Sequence, residues 1–445
     1  MAWGYRRLKE EDKARILYRY VATQWPNKDR AVIALRGVAL CSLALNDQAG
    51  AEAALEAILT RYGQDKDVVE AVSNIATEYR DRKDFIRSRK LHQYILDKYP
   101  QSELAIWSCR DVILCSRELN DDPNTQAGID RLLSRFGSHK DLALAIRQVG
   151  RELNRKGDRR ALELLRYNAE HIQDNPEALQ SGVEAIYTSL HAADVNTADA
   201  TWERLLKGFS RQATFARQAY HVAGAYARAG STDKAGEIYR YVVGQWPQGL
   251  WAKASTAQVA ILQGQDATVQ GHLDKLIGEF KGHPDLPMAL FQVGEYYWAK
   301  AIAEQKEGRK DRADENFKKA LVVWETIIKD LPSSIITAQA YHVAAETYRR
   351  FGQDEKAMQY YQKIVDTWPD YNYAWLAQHR IAKLYKGLLA RPEVVADTQA
   401  KAKAEAAMKA AYKRLLDTFP NSPAAPAART TLEYYGNPSV EGGHQ

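Results

Sequence analysis

The sequence predicts an all-α protein, a right-handed α-α superhelix built from about ten helical hairpins, and three observations predict it. A set of residues returns with every spacing kept: Tyr226, Gly230, Ala235, Tyr239 and Pro247 recur as Tyr348, Gly352, Ala357, Tyr361 and Pro369, and the Tyr-His-Val-Ala segment at 220–223 recurs at 341–344. Bulky residues followed by Pro or Gly mark regular stops, with Trp25-Pro26, Tyr62-Gly63, Tyr99-Pro100 and Phe136-Gly137 spaced 37 residues apart and Trp246-Pro247, Trp368-Pro369 and Phe419-Pro420 further on. The stretches before the stops carry apolar residues at helical spacing, as in 354–365. One such unit cannot bury its own apolar face, so repetition at a fixed period means stacking.

The elements follow in order within each unit. Proline cannot continue a helix and pushes its predecessor out of the helical region, so each stop ends the second helix of a hairpin. A short turn such as Arg350-Phe351-Gly352-Gln353 separates that helix from the first. A small residue stands three before the first-helix tyrosine in Ala76/Tyr79, Ala223/Tyr226, Gly294/Tyr297, Ala345/Tyr348 and Ala382/Tyr385. Close helix approach at the small residue, with the tyrosine filling the gap beside it, accounts for the pair. The units near 101–137 and 177–209 lack the tyrosine, with Ser116 in its place in the former. Two intervals stretch to 51 residues, Phe280 to Leu331 and Trp368 to Phe419, and their extra residues, around 304–312 and 398–411, read as extended helices.

This pattern resembles the tetratricopeptide repeat family over nearly the whole length. The aromatic-Pro endings, as in Phe419-Pro420-Asn421-Ser422-Pro423, are most similar to the bacterial branch found in envelope proteins such as the periplasmic Tol-Pal coordinator and the outer-membrane assembly lipoprotein. The resemblance implies a scaffold that binds a partner in a concave groove. It also implies the periplasm if the chain is a piece of an exported protein, and the cytoplasm otherwise. Tyr5 stands 21 residues before Pro26, the interval from Tyr79 to Pro100, so Tyr5 reads as a first-helix tyrosine with most of its helix missing. The expected divisions are a truncated first repeat at 1–26, repeats of about 37 residues at 27–285, repeats with two lengthened units at 286–422, and a C-terminal capping helix with a disordered tail at 423–445.

Composition bounds the function. The chain is 45% hydrophobic and 27% charged with a net charge of +6, a mild excess for so long a surface and unlike a dedicated nucleic-acid module. No apolar run reaches the roughly 20 residues that cross a bilayer. Cys41, Cys109 and Cys115 are odd in number and set among apolar residues, as small core residues are. Ten scattered histidines form no metal-ligand spacing, and no phosphate loop or dinucleotide turn is present. The sequence therefore points away from an enzyme, and toward no cofactor and no metal.

Candidate partner-binding residues come from helix geometry. Arg147, Arg151 and Arg155 stand at i, i+4 and i+8 on one stripe, where forked guanidiniums would clamp peptide carboxylates. Trp251, Phe291 and Trp298 fall on inner faces by register and would offer anchor pockets. His342, at the place of His221 and with His379 one unit on, and Arg349 complete the candidates. Arg80 to Lys90 form a second basic cluster, whereas Trp25, Trp246 and Trp368 read as packing groups at helix ends. The leading expectation is a non-catalytic scaffold for a protein or peptide. The alternatives are a single-stranded RNA binder, against which the inner positions vary from Trp251 to Glu295 to His342, and a self-assembling structural protein.

Overall fold

The computed structural model describes residues 1–26 and 30–436, and every element in it is helical. The tail expected to be disordered, from 437 on, lies outside the described residues. The chain divides into two compact units, 1–212 and 213–445. In the first, six hairpins follow one another: α1 (Ala2–Arg7) with α2 (Glu11–Gln24), α3 (Ala31–Ala44) with α4 (Gln48–Arg61), α5 (Val68–Asp81) with α6 (Phe85–Lys98), α7 (Ala105–Glu118) with α8 (Asp122–Arg135), α9 (Leu142–Arg155) with α10 (Arg160–His171), and α11 (Pro176–His191) with α12 (Val195–Phe209). The second holds α13 (Phe215–Arg228) with α14 (Thr232–Gln245), α15 (Leu250–Leu262) with α16 (Asp266–Phe280), α17 (Leu286–Lys306) with α18 (Lys310–Asp330) and α19 (Ile335–Arg350) with α20 (Asp354–Thr367). It ends with α21 (Ala374–Leu388), the short α22 (Pro392–Ala396), α23 (Thr398–Thr418) and α24 (Ala425–Gly436). The two long intervals are indeed taken up by helix, for α17, α18 and α23 each run 21 residues.

The turn inside each hairpin from α1–α2 to α19–α20 is made the same way. A residue in the left-handed region follows the first helix: Lys9, Asn46, Lys83, Asn120 and Gly157 at steps of 37, then Ala193, Gly230, Gly264, Gly308 and Gly352. An aspartate often comes next and caps the second helix, Asp47 accepting from Gly50 N, Asp84 from Arg87 N, Asp121 from Asn124 N and Asp194 from Thr197 N. These carboxylates satisfy amides that a helix start leaves open.

At the aromatic-Pro and aromatic-Gly stops the chain takes two kinds of connection, set by the residue that follows. Before proline the aromatic stands at ψ 60° (Trp25), 53° (Tyr99), 56° (Trp246), 62° (Trp368) and 57° (Phe419), whereas before glycine it stands at ψ 19° (Tyr62) and 18° (Phe136). The proline ring clashes with a helical predecessor and forces the larger angle. After proline stops, α2 packs along α3, α6 along α7, α14 along α15 and α20 along α21. After the glycine stops, α4 and α8 scarcely meet the next hairpin, and the first helices pack directly, α3 on α5 and α7 on α9.

The small-residue and tyrosine pairs lie in the core, with one exception. Ala76, Ala223, Ala345 and Ala382 are fully buried and Tyr79, Tyr226, Tyr297 and Tyr348 are buried too, but Tyr385, the partner of Ala382, is only half-buried. A Cβ added at Gly294 would collide with the Trp324 indole. All three cysteines are free and buried, and burial pushes their thiols up, to about 12 for Cys41 and Cys109 and about 11 for Cys115. Trp246 packs on Phe215 and Trp368 on Tyr341, but Trp25, expected to pack as they do, rests edge-on against Tyr20 and stays 47% exposed.

Candidate functional site: an arginine-lined cleft on α9 and α11

Helix α9 is strongly two-faced. Leu142, Ala145, Ile146, Val149 and Leu153 are buried, and the arginine stripe runs along another side. Its neighbour α11 starts where Pro176 occupies the first turn and the Asn175 side chain accepts from the amides of Glu177 and Ala178. That start places Glu177 and Glu184 opposite Arg147. The guanidinium donates to both, at 3.1 Å to Glu184 Oε1. Arg147 is thus a strut between hairpins, its side chain 20% exposed. Burial holds the Glu184 carboxyl above the usual range even though Arg147 opposes the shift.

The other two arginines are different. Arg151 lies 3.8 Å from Glu184 and Arg155 donates to Glu152 at 3.0 Å, and both side chains remain 64% exposed. They line a cleft of about 820 Å³ with Gln148, Glu152 and Asn154 from α9 and Glu184, Tyr187, Thr188 and His191 from α11. Asn154 donates to Thr188 Oγ1 at 3.1 Å, tying the two walls. The cleft offers exposed guanidiniums, hydroxyl and amide groups, and an aromatic ring from Tyr187. The α11 wall was not singled out in the sequence, although a signal existed: one 37-residue step beyond Arg147, Arg151 and Asn154 stand Glu184, Thr188 and His191.

The remaining candidates lie in the second unit. Trp251 is 9% exposed, wedged against Tyr220 and His221 with the Arg217 guanidinium over its face. Phe291 is 7% exposed against Trp324. Both are buried because α13, α15 and α17 close on one another: Tyr220 donates to the Ala289 carbonyl at 2.9 Å, spanning two hairpins. Trp298 is half-buried on Phe317 and Trp324 beneath Arg350. His342 is half-buried among Tyr361, Tyr371 and Tyr373. Arg349 donates to Glu346 at 2.8 Å. Burial lowers the proton affinity of His342 and His379, and takes His221 down to about 4.

The arginines of the second basic cluster bond between hairpins. Arg80 meets Asp111 at 2.7 Å, Arg87 meets Glu52 at 3.1 Å and Arg89 meets Asp121 at 2.6 Å. Asp111 is buried with Arg110 also upon it, so its charge is already answered and the adjacent His92, 1% exposed, stays neutral with a pKa lowered to about 4 by desolvation. No group of His, Cys, Asp and Glu among the described residues is placed to hold a metal ion.

The family comparison bears on α19 and α20. The tetratricopeptide repeat family model matches residues 339–371. That segment is similar to a tetratricopeptide repeat. Within the repeat, Tyr348, Ala357 and Tyr361 are the buried signature positions, and Pro369 is its stop. No curated protein matches the chain. Solved structures similar to it include yeast Tom70 (12% identity, TM-score 0.38, 98% of this chain and 94% of that one) and a tetratricopeptide repeat protein from Parabacteroides merdae (14%, 0.30, 63% and 98%). The human IFIT1 dimer with PPP-AAAA is another (15%, 0.32, 97% and 88%).

Proposed function

We propose that the protein is a non-catalytic scaffold and that the α9–α11 cleft binds an acidic peptide segment of a partner protein. Helical-hairpin repeats generally serve as interaction surfaces, and repeat residues not needed for packing are free to read a partner. One observation carries the choice of site: of three arginines on one stripe, one is consumed as a strut while Arg151 and Arg155 stand exposed over a cleft. Guanidiniums there form forked bonds to carboxylates, and the Tyr187 ring and the Asn154 and Thr188 polar groups fix orientation.

The test separates strut from ligand. An immobilised library of acidic peptides is screened against the protein, and Arg151→Ala with Arg155→Ala lowers the affinity of the selected peptides about tenfold or more while leaving thermal stability within about 1 kcal/mol, the range of exposed pairs. Arg147→Ala instead destabilises the first unit by about 1–3 kcal/mol, because Glu184 loses its partner while half-buried. Equal affinity in the double variant for every selected ligand sinks the assignment, as does selective retention of single-stranded RNA with no acidic peptide retained.

A further inference from the structure

The net charge of +6 has an address. Between 380 and 414 there are nine Lys and Arg against three Asp and Glu, an excess equal to that of the whole chain. The arginines there are committed: Arg380 to Glu346 at 2.9 Å, Arg391 to Asp354 at 2.5 Å and Arg414 to Asp366 at 2.6 Å. Lys409 pairs with Glu405. Lys383, Lys386, Lys401, Lys403 and Lys413 are exposed, and no carboxylate pairs with them among the described residues.

Four of these five gather at one end of the α21–α23 hairpin, Lys383 and Lys386 in the last turns of α21 and Lys401 and Lys403 in the first two turns of α23. They bracket the extra chain of the 51-residue unit, where α22 holds Val395 with 55% of its surface in solvent. The Asp397 carboxylate beside them accepts from the amides of Gln399 and Ala400 and caps α23. The other long hairpin supplies the contrast: from 300 to 315 its tip carries five basic and five acidic residues.

We propose that the α21–α23 tip docks on an anionic lipid surface, lysines on the headgroups and Val395 at the acyl boundary. Three features favour that occupant. Free ammoniums on long stems are point charges that suit a diffuse negative surface, while the forked arginines that read discrete phosphates or carboxylates are already paired. An exposed valine at the apex of a cationic tip matches an interface that is charged outside and apolar beneath. Single-stranded nucleic acid is bound by aromatic platforms, and the tip's one aromatic, Tyr385 between the α21 lysines, is half-buried against the core, while α22 and the first two turns of α23 contain none. The contact is peripheral, since no described helix is long and apolar enough to cross a membrane.

The test is flotation of the full chain with phosphatidylcholine vesicles, with and without phosphatidylglycerol. Binding is expected only with the anionic lipid and weakens as salt rises. Lys383→Gln, Lys386→Gln, Lys401→Gln and Lys403→Gln together lower the partition coefficient about tenfold or more, as each lysine near such a surface contributes on the order of 1 kcal/mol. The four Lys→Arg changes retain binding, Val395→Ser weakens what remains at high salt, and Lys306→Gln with Lys310→Gln at the other tip changes nothing. Binding that ignores lipid charge, a quadruple Gln variant of unchanged helicity that floats like the parent, or lysines needed for single-stranded RNA while the vesicles float free would each overturn it.

Discussion

The turn residues show how little the repeat needs from any one position. Only some hairpin turns place glycine at the left-handed site; Asn46 (φ 58°) tolerates it, but Lys83 (φ 64°) and Ala193 (φ 59°) hold it at a cost. For an L residue other than Gly or Asn that conformation costs roughly 1–2 kcal/mol, partly offset in comparison with glycine by glycine's freer unfolded chain. Lys83→Gly is therefore expected to stabilise the first unit by about 0.5–1 kcal/mol, read as a rise in the urea midpoint. A fall would mean that the lysine stem, not the backbone, decides the turn. The capping aspartates act at the same scale. Asp121 and Asp194 have depressed pKa values because side-chain donors and backbone amides hold their charged form, so each favours folding above the carboxylate range and ceases to do so as pH falls through it.

At the scale of the element, one backbone angle decides what a hairpin leans on. Proline stops swing ψ of the aromatic by about 40° relative to glycine stops, and with that the second helix either packs along the next hairpin or leaves the first helices to meet directly. Gly137→Pro should force Phe136, 6% exposed, from ψ 18° toward the proline value and part α7 from α9. The expected loss is on the order of 3 kcal/mol, the usual figure for a proline in conflict with its site. An unchanged melting temperature would refute the two-connection account. The same geometry explains why inner-face register was a poor guide to exposure: where α13, α15 and α17 close together, Trp251 and Phe291 become core.

At the scale of the molecule, two units each hold apolar clusters of their own: residues around Val72 and Ile146 in the first, and around Ala345 and Phe317 in the second. Stacked repeats draw stability from their neighbours along the chain, so a cut between the two units leaves each part with its own core. Expressed separately, 1–212 and 213–436 should each show the helical circular dichroism of its share of the chain and unfold cooperatively. Loss of helix in either fragment would show that the division is only geometric. Charge also resolves at this scale, because a mild average conceals a neutral tip on one long hairpin and a cationic tip on the other.

What the sequence determined by itself was the all-helical fold, the hairpin as its unit and the burial of the signature residues, because a 37-residue spacing of stops, small residues and tyrosines records packing that every unit repeats. It also singled out the arginine stripe. Only the tertiary structure separated Arg147 as a strut from Arg151 and Arg155 as exposed groups, since the Glu177 and Glu184 that engage it come from the next hairpin. The tertiary structure likewise buried Trp251 and Phe291 and left Lys383, Lys386, Lys401 and Lys403 with no carboxylate partner among the described residues. The physical reason is common to all three: helical register gives the face a residue occupies, but exposure and pairing depend on which neighbour that face meets, and that is set between hairpins.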